Sequence, residues 1–129
     1  RYPKIRFILA HGGGSVPFLA ERIAAGAGLN GAARSDLDRT LCSPVDIDEG
    51  LNLLKRLHFD TAQPGQAHLW TVKEFAGVEH MLFGTDSGWV TPIDTRLTTR
   101  AVAAFNGFDE AERKMVDRDN ARTLFPRFA

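Results

Sequence analysis

Two short stretches hold the side chains best suited to chemistry. In Ile8-Leu9-Ala10-His11-Gly12-Gly13-Gly14-Ser15 an apolar run ends in a histidine followed by three glycines, and in His80-Met81-Leu82-Phe83-Gly84-Thr85-Asp86-Ser87-Gly88 a second apolar run ends in an acid. An imidazole ligates metals or moves protons, and a carboxylate suits a divalent cation. Consecutive glycines are entropically costly wherever they are ordered. Their presence implies a close approach to this backbone and favours a functional His11 over a histidine merely hydrogen-bonded in a turn. Asp86 directly follows a buried strand, which favours function over a helix cap. Asp60, in Leu57-His58-Phe59-Asp60-Thr61, is either an orienter of a ligand or a cap. His58 reads as a satisfied core histidine, His68 and His80 as surface residues away from the site, and Cys42 as an inert thiol.

The elements that must position these groups follow from pattern. Ile5 to Ala10, Leu57 to Thr61 and His80 to Gly84 are short apolar runs next to glycine or proline, and they read as strands. Pro17 to Ala25 reads as a helix, with proline in its first turn and Gly26 and Gly28 ending it. Residues 26 to 44 read as a mobile connection with a short helix at most. Further helices are expected over Asp46 to Arg56, Gln66 to Phe75, Thr95 to Phe105 and Asp109 to Leu124, the last opened by a capping box of Asp109 and Glu112. Strands separated by helices imply an α/β fold with parallel pairing. In such folds the ligand site lies beyond the carboxyl ends of the strands. His11, Asp60 and Asp86 all stand at that end.

Composition narrows the function classes. The chain has 129 residues, 43% hydrophobic and 25% charged, with a formal net charge of zero. A nucleic-acid footprint needs a basic face or stripe, and interspersed signs at zero net charge argue against one. No run of about 18 apolar residues spans a membrane. The first residues lack the apolar stretch of a signal peptide. A single cysteine excludes an internal disulfide and points to a reducing, cytoplasmic setting. The chain begins without an initiator Met and meets a strand almost at once, which suggests a piece of a larger protein.

Two other chemistries share parts of these motifs. An HGGG segment also serves as the oxyanion-hole loop of serine α/β-hydrolases. Those enzymes need G-x-S-x-G, and the nearest candidate, Thr85-Asp86-Ser87-Gly88-Trp89, has tryptophan where the second glycine belongs. A dinucleotide-binding G-x-G-x-x-G starting at Gly12 would need glycine where Pro17 stands. A third alternative is a catalytically inactive fragment acting as an interaction module.

HGGGSVPFLAERI at 11 to 23, HFDTA at 58 to 62, LFGTD at 82 to 86 and NARTLFPRF at 120 to 128 together resemble the C-terminal part of the amidohydrolase superfamily. The likeness is to the branch of aminocarboxymuconate-semialdehyde decarboxylase and related metal-dependent aromatic-acid decarboxylases, and it omits residues 26 to 50. The resemblance implies the later part, about strands six to eight with their helices, of a (β/α)₈ TIM-type barrel. Such a barrel takes about 250 residues. On this likeness residues 1 to 129 are the C-terminal portion of one metal-dependent barrel domain.

By the same likeness Asp86 matches the metal-ligand aspartate after the eighth strand, and His11 the sixth-strand histidine that activates metal-bound water or shuttles protons. Gly12, Gly13 and Trp89 are then expected to line the substrate site. The implied cofactor is a divalent metal, Zn²⁺ with Mn²⁺ as the alternative. The family's first-strand H-x-H pair and fifth-strand histidine are absent from this sequence, and Ser87-Gly88-Trp89 replaces its usual aromatic-Pro. The implied activity is non-oxidative decarboxylation of an aromatic or unsaturated carboxylic acid, or a closely related hydrolysis. The expected partner is a small-molecule carboxylate, with no nucleic acid and no membrane, and the full-length protein is expected to be a homo-oligomer.

Overall fold

The computed structural model describes residues 5–33, 46–63 and 65–128. Cys42 and most of the expected connection lie outside the described residues. Three short strands, β1 (Ile8–Leu9), β2 (His58–Asp60) and β3 (Met81–Leu82), form a parallel sheet with β2 in the middle. Ile8 stands opposite His58, Leu9 opposite Phe59, Phe59 opposite Met81 and Asp60 opposite Leu82. The strands are shorter than their apolar runs; a tight 3₁₀ turn, Val78–His80, takes the start of the third run, and another, His11–Gly13, follows the first.

Among the described residues six α-helices and a π-helical turn accompany the sheet: α1 (Val16–Ala33), α2 (Ile47–Lys55), α3 (Gln66–Ala76), α4 (Pro92–Ala103), α5 (Glu110–Lys114), the π turn (Met115–Asp119) and α6 (Asn120–Leu124). α1 runs through Gly26 and Gly28, where the sequence predicts a stop. An interior glycine costs about 1 kcal/mol against alanine, and here close packing offsets it. Ala20 and Ala24 are buried, and a Cβ on Gly50 of α2 would stand only 2.9 Å from that of Ala24. α4 starts earlier than its apolar pattern implies, since Thr91 and Asp94 form a reciprocal capping box ahead of Pro92. The expected box of Asp109 and Glu112 is present at α5.

The core sits between the sheet and α3. Phe59 is fully buried and packs with Leu69, Val72 and Ala76 of α3 and with Met81, Phe105, Phe108 and Val116. Each large apolar side chain buried in this way contributes about 1.5–3 kcal/mol. Side chains alternate along a strand, so His58 and Asp60 lie on the face opposite Phe59. On that face His58 is no satisfied core histidine, and His80 is no surface residue. Both are half-buried, their rings are 5.0 Å apart, and the Nδ1 of each is enclosed without a hydrogen-bond partner. Parallel register puts them side by side, and neither Nδ1 finds a hydrogen-bond partner among the described residues.

Three further sets of contacts stitch the strands to one another and to the C-terminal helical segment. Thr61, fully buried, donates its hydroxyl to the Gly84 carbonyl (3.2 Å) and accepts from the Gly84 amide (3.1 Å). Phe83 donates its amide to the carbonyl of Val116 in the π turn at 2.9 Å. Asn120, buried at the start of α6, donates to the carbonyls of Val78 and Met81, both at 2.8 Å. The π turn and α6 thereby tie β3 and its flanking residues to the C-terminal helical segment.

Candidate active site

Three strand ends converge. β1 delivers His11, β2 delivers Asp60 and β3 delivers Asp86, as their positions in the sequence predict. His11 and Asp86 both have left-handed backbones, with φ of +55° and +59°. Such conformations cost about 1–3 kcal/mol in non-glycine residues and persist only where the surroundings impose them. For His11 the restraints are visible. Its amide donates to Asp60 Oδ1 at 2.7 Å, and the same oxygen accepts the Ala62 amide at 3.0 Å. Its ring Nδ1 lies 3.3 Å from the Ala62 carbonyl.

That last contact settles the tautomer of the neutral ring. A carbonyl oxygen only accepts, so Nδ1 carries the proton and Nε2 presents its lone pair. Nε2 faces Asp86 Oδ2 at 4.0 Å. This separation exceeds a direct hydrogen bond and leaves room for a third atom between the two. The His11 side chain is 52% exposed and that of Asp86 25%, so the gap opens to solvent on this face.

The helix-cap reading of Asp86 fails. α4 is capped by Thr91, and the Asp86 backbone carbonyl instead closes a tight turn by accepting the amides of Trp89 (3.1 Å) and Val90 (3.2 Å). Its carboxylate makes no hydrogen bond among the described residues and is uncommitted. Asp60 is an orienter of His11 and not a helix cap.

The glycines answer to neighbours inside the protein. Gly12, at φ +60°, would drive a Cβ to 2.8 Å from Nε2 of His68, and Gly13, at φ +78°, to 2.8 Å from the Phe59 ring. A side chain at either position would therefore collide with the fold itself before reaching a pocket mouth. His68 is half-buried, with Nε2 3.0 Å from the Gly12 carbonyl, so it belongs beside the site and not on a remote surface. Sequence reasoning missed it because the contact spans 56 residues. Trp89 is 89% exposed on the turn after Asp86.

The oxyanion-hole alternative loses two of the donors it would need in this turn. The Gly13 and Gly14 amides are already given to the carbonyls of Ala10 and His11, each at 3.0 Å. Among the described residues no group of three His, Cys, Asp or Glu side chains is arranged to hold a metal ion. No helix of the described residues is long and apolar enough to cross a membrane.

Comparison with known proteins assigns the fold a family. Residues 1–127 match the amidohydrolase family. The chain belongs to it. The amidohydrolase segment is 30% identical to the decarboxylase yanB of Aspergillus niger over 132 aligned positions, covering 99% of this chain and 33% of that protein. It is 34% identical to the 6-methylsalicylic acid decarboxylase of Penicillium expansum, covering 98% of this chain and 36% of the relative. Among solved structures it superposes on the dihydroxybenzoic acid decarboxylase of Polaromonas sp. JS666, with a TM-score of 0.72 at 19% identity. That likeness, which shows the fold, covers 99% of this chain and 36% of the solved one. The chain thus spans about a third of the length of the relatives it matches.

Proposed function

We propose that the amidohydrolase segment is the later part, strands six to eight, of a (β/α)₈ barrel whose full polypeptide is a metal-dependent, non-oxidative decarboxylase of a small aromatic or unsaturated carboxylic acid. The observation that carries this reading is the apposition of the free Nε2 lone pair of His11 to the uncommitted carboxylate of Asp86 across 4.0 Å. Both named relatives are decarboxylases, which favours carbon dioxide release over hydrolysis at this site. Ile8 and Phe7, 41% and 58% exposed, and Phe83, 39% exposed, support continuation of the sheet beyond both of its edges.

Asp86 fits part of a divalent metal site. It supplies an anionic oxygen, and catalytic sites of this kind need about three protein ligands, so in this reading the other donors lie elsewhere in the full polypeptide and His11 keeps its Nε2 for proton transfer. The solved Polaromonas relative carries bound manganese, and the metal here is read as manganese or zinc. When bound, it supplies Lewis-acid polarisation of the substrate's oxygens. Asp86 binds and neutralises charge there.

His11 moves the proton, and Nε2 is the atom that does so, because Nδ1 is engaged by Ala62. Nε2 first takes up a proton from water, and the imidazolium so formed delivers it to the carbon bearing the carboxylate. The bond from that carbon to the carboxyl carbon then breaks, its electron pair stays on the ring, and carbon dioxide leaves. Nε2 is left with its lone pair, ready for the next proton. Substrate contact by Gly12 and Gly13 is confined to their backbone, since their Cβ directions are filled, while Trp89 is free to close over a bound ring. A cytoplasmic homo-oligomer completes the reading.

The test is to load the full polypeptide with Mn²⁺ or Zn²⁺ and measure carbon dioxide release from 6-methylsalicylate, 2,6-dihydroxybenzoate and a panel of related acids. Turnover of at least one is expected, with His11→Asn lowering kcat by roughly 10²- to 10⁴-fold. Absence of release from the whole panel, or hydrolysis of a lactone or amide in its place, overturns the proposal.

A further inference from the structure

We infer that His68 is a positioning residue for this site: its imidazole clamps the peptide after His11 and so sets where Nε2 of His11 stands relative to Asp86. The inference rests on the reading of His11 as the proton-transfer group. His68 lies in the first turn of α3, the helix that packs on Phe59 and is among the most firmly held elements of the fold. Its Nε2 is 3.0 Å from the Gly12 carbonyl. Because a carbonyl only accepts, Nε2 carries a proton, and the contact survives in either charge state of the ring. Phe18 stands edge-on to this imidazole, with ring centroids 6.1 Å apart.

The need for such a clamp follows from the glycines. Gly12, Gly13 and Gly14 all have positive φ, and glycine peptides carry no side chain to restrict them. A reacting group next to so free a backbone needs supports of its own, since a misplacement of about 1 Å already lowers rates substantially. The turn is pinned at three successive points. Asp60 takes the His11 amide (2.7 Å), the Ala62 carbonyl takes the His11 ring (3.3 Å), and His68 takes the Gly12 carbonyl (3.0 Å). Of these, only His68 comes from a helix. Gly12 itself is shaped to the contact, because any Cβ there would meet Nε2 at 2.8 Å.

The experiment compares His68→Leu with His68→Gln in the metal-loaded full polypeptide. Glutamine places an amide N–H close to where Nε2 lies, and leucine places none. His68→Leu is expected to lower kcat about 10- to 100-fold, the usual cost of losing a supporting hydrogen bond, with KM little changed. The limb of the pH–rate profile that reports His11 should move in the leucine variant and stay in place for glutamine.

A second comparison keeps the inference testable if leucine prevents folding. Gly12→Ala places a methyl against His68, and its left-handed backbone, at φ +60° and ψ +22°, costs the same whether or not the imidazole is there. Gly12→Ala alone should reproduce the lost kcat and the shifted pH limb, and added to His68→Ala it should bring little further loss. Leucine equal to glutamine and wild type, or a Gly12→Ala loss as large without the imidazole as with it, overturns the positioning role. If His11→Asn is inactive in that case, the decarboxylase reading stands without it, whereas an active His11→Asn removes the proposed function first.

Discussion

The carboxylate of Asp60 holds the amide of His11 at 2.7 Å across 49 residues of sequence. One oxygen of the middle strand thereby fixes the backbone of a residue delivered by its neighbour, and the same oxygen ties down Ala62, whose carbonyl orients the His11 ring. A hydrogen bond to a charged group contributes about 1.5–3 kcal/mol. Asp60→Ala in the full polypeptide is expected to lower the melting temperature and to reduce kcat about 10- to 100-fold. Asp60→Asn keeps an accepting oxygen and should retain most of both. Melting curves and steady-state kinetics on the pair check this, and an alanine variant as active as wild type would contradict it.

Asp86→Asn separates binding from folding. The carboxylate makes no hydrogen bond among the described residues, and asparagine tolerates a left-handed backbone well. Compared metal-free, variant and wild type should melt at nearly the same temperature. Calorimetric titration with Mn²⁺ or Zn²⁺ should show weakened binding, and turnover should nearly vanish. Full metal occupancy together with ordinary turnover in the variant would show that the charge of Asp86 is not used.

His58 predicts an acid-sensitive fold. Burial, then the neighbouring His80 and Arg6, hold its imidazole below the ordinary histidine range. The unfolded chain therefore takes up a proton that the folded chain resists, so stability rises with pH across this window. The contribution is complete above the ordinary value of about 6.5 and is lost progressively as pH falls below it. Denaturant titrations at pH 7.5 and 5.5 should show a smaller acid loss for His58→Gln than for wild type. Equal losses would mean that His58 is not the group responsible.

Asn120 donates to two buried strand carbonyls, so what matters is its amide and not its size. Asn120→Ala leaves both without that donor, at about 1–3 kcal/mol for each group left unsatisfied. Asn120→Asp has nearly the same shape yet, when ionised, only accepts, and should destabilise at least as much. An aspartate variant that unfolds at the wild-type denaturant concentration would sink the assignment.

Much of this was legible in the residues. The strand-end positions of His11, Asp60 and Asp86 follow from apolar runs that stop at glycine or a polar group, and the box of Asp109 and Glu112 is a local signal. What escaped depends on contacts between distant segments. Nothing near His68 marks it as a partner of Gly12, and the three glycines suggested a ligand where the neighbours are His68 and Phe59. His58 and His80 meet only through strand register. α1 outruns Gly26 and Gly28 because packing against α2 outweighs propensity. Thr91 with Asp94 was a readable cap, overlooked because the apolar pattern drew the helix start to Thr95.

The π turn at Met115–Asp119 has its own consequence for how this segment tolerates change. In a π turn hydrogen bonds close one residue later than in an α-helix, and here the Val116 carbonyl serves the Phe83 amide at 2.9 Å. Excising a single residue from this turn favours ordinary α closure and rotates everything after it by about 100°, one residue's share of a 3.6-residue turn. Asn120 would then swing away from Val78 and Met81, and the strand that carries Asp86 would lose both of its ties to the final helix. Exchanges of one amino acid for another are tolerable at several exposed positions here, but an in-frame loss of one codon is not. Between Glu110 and Leu124, spacing is as much a functional requirement as side-chain identity.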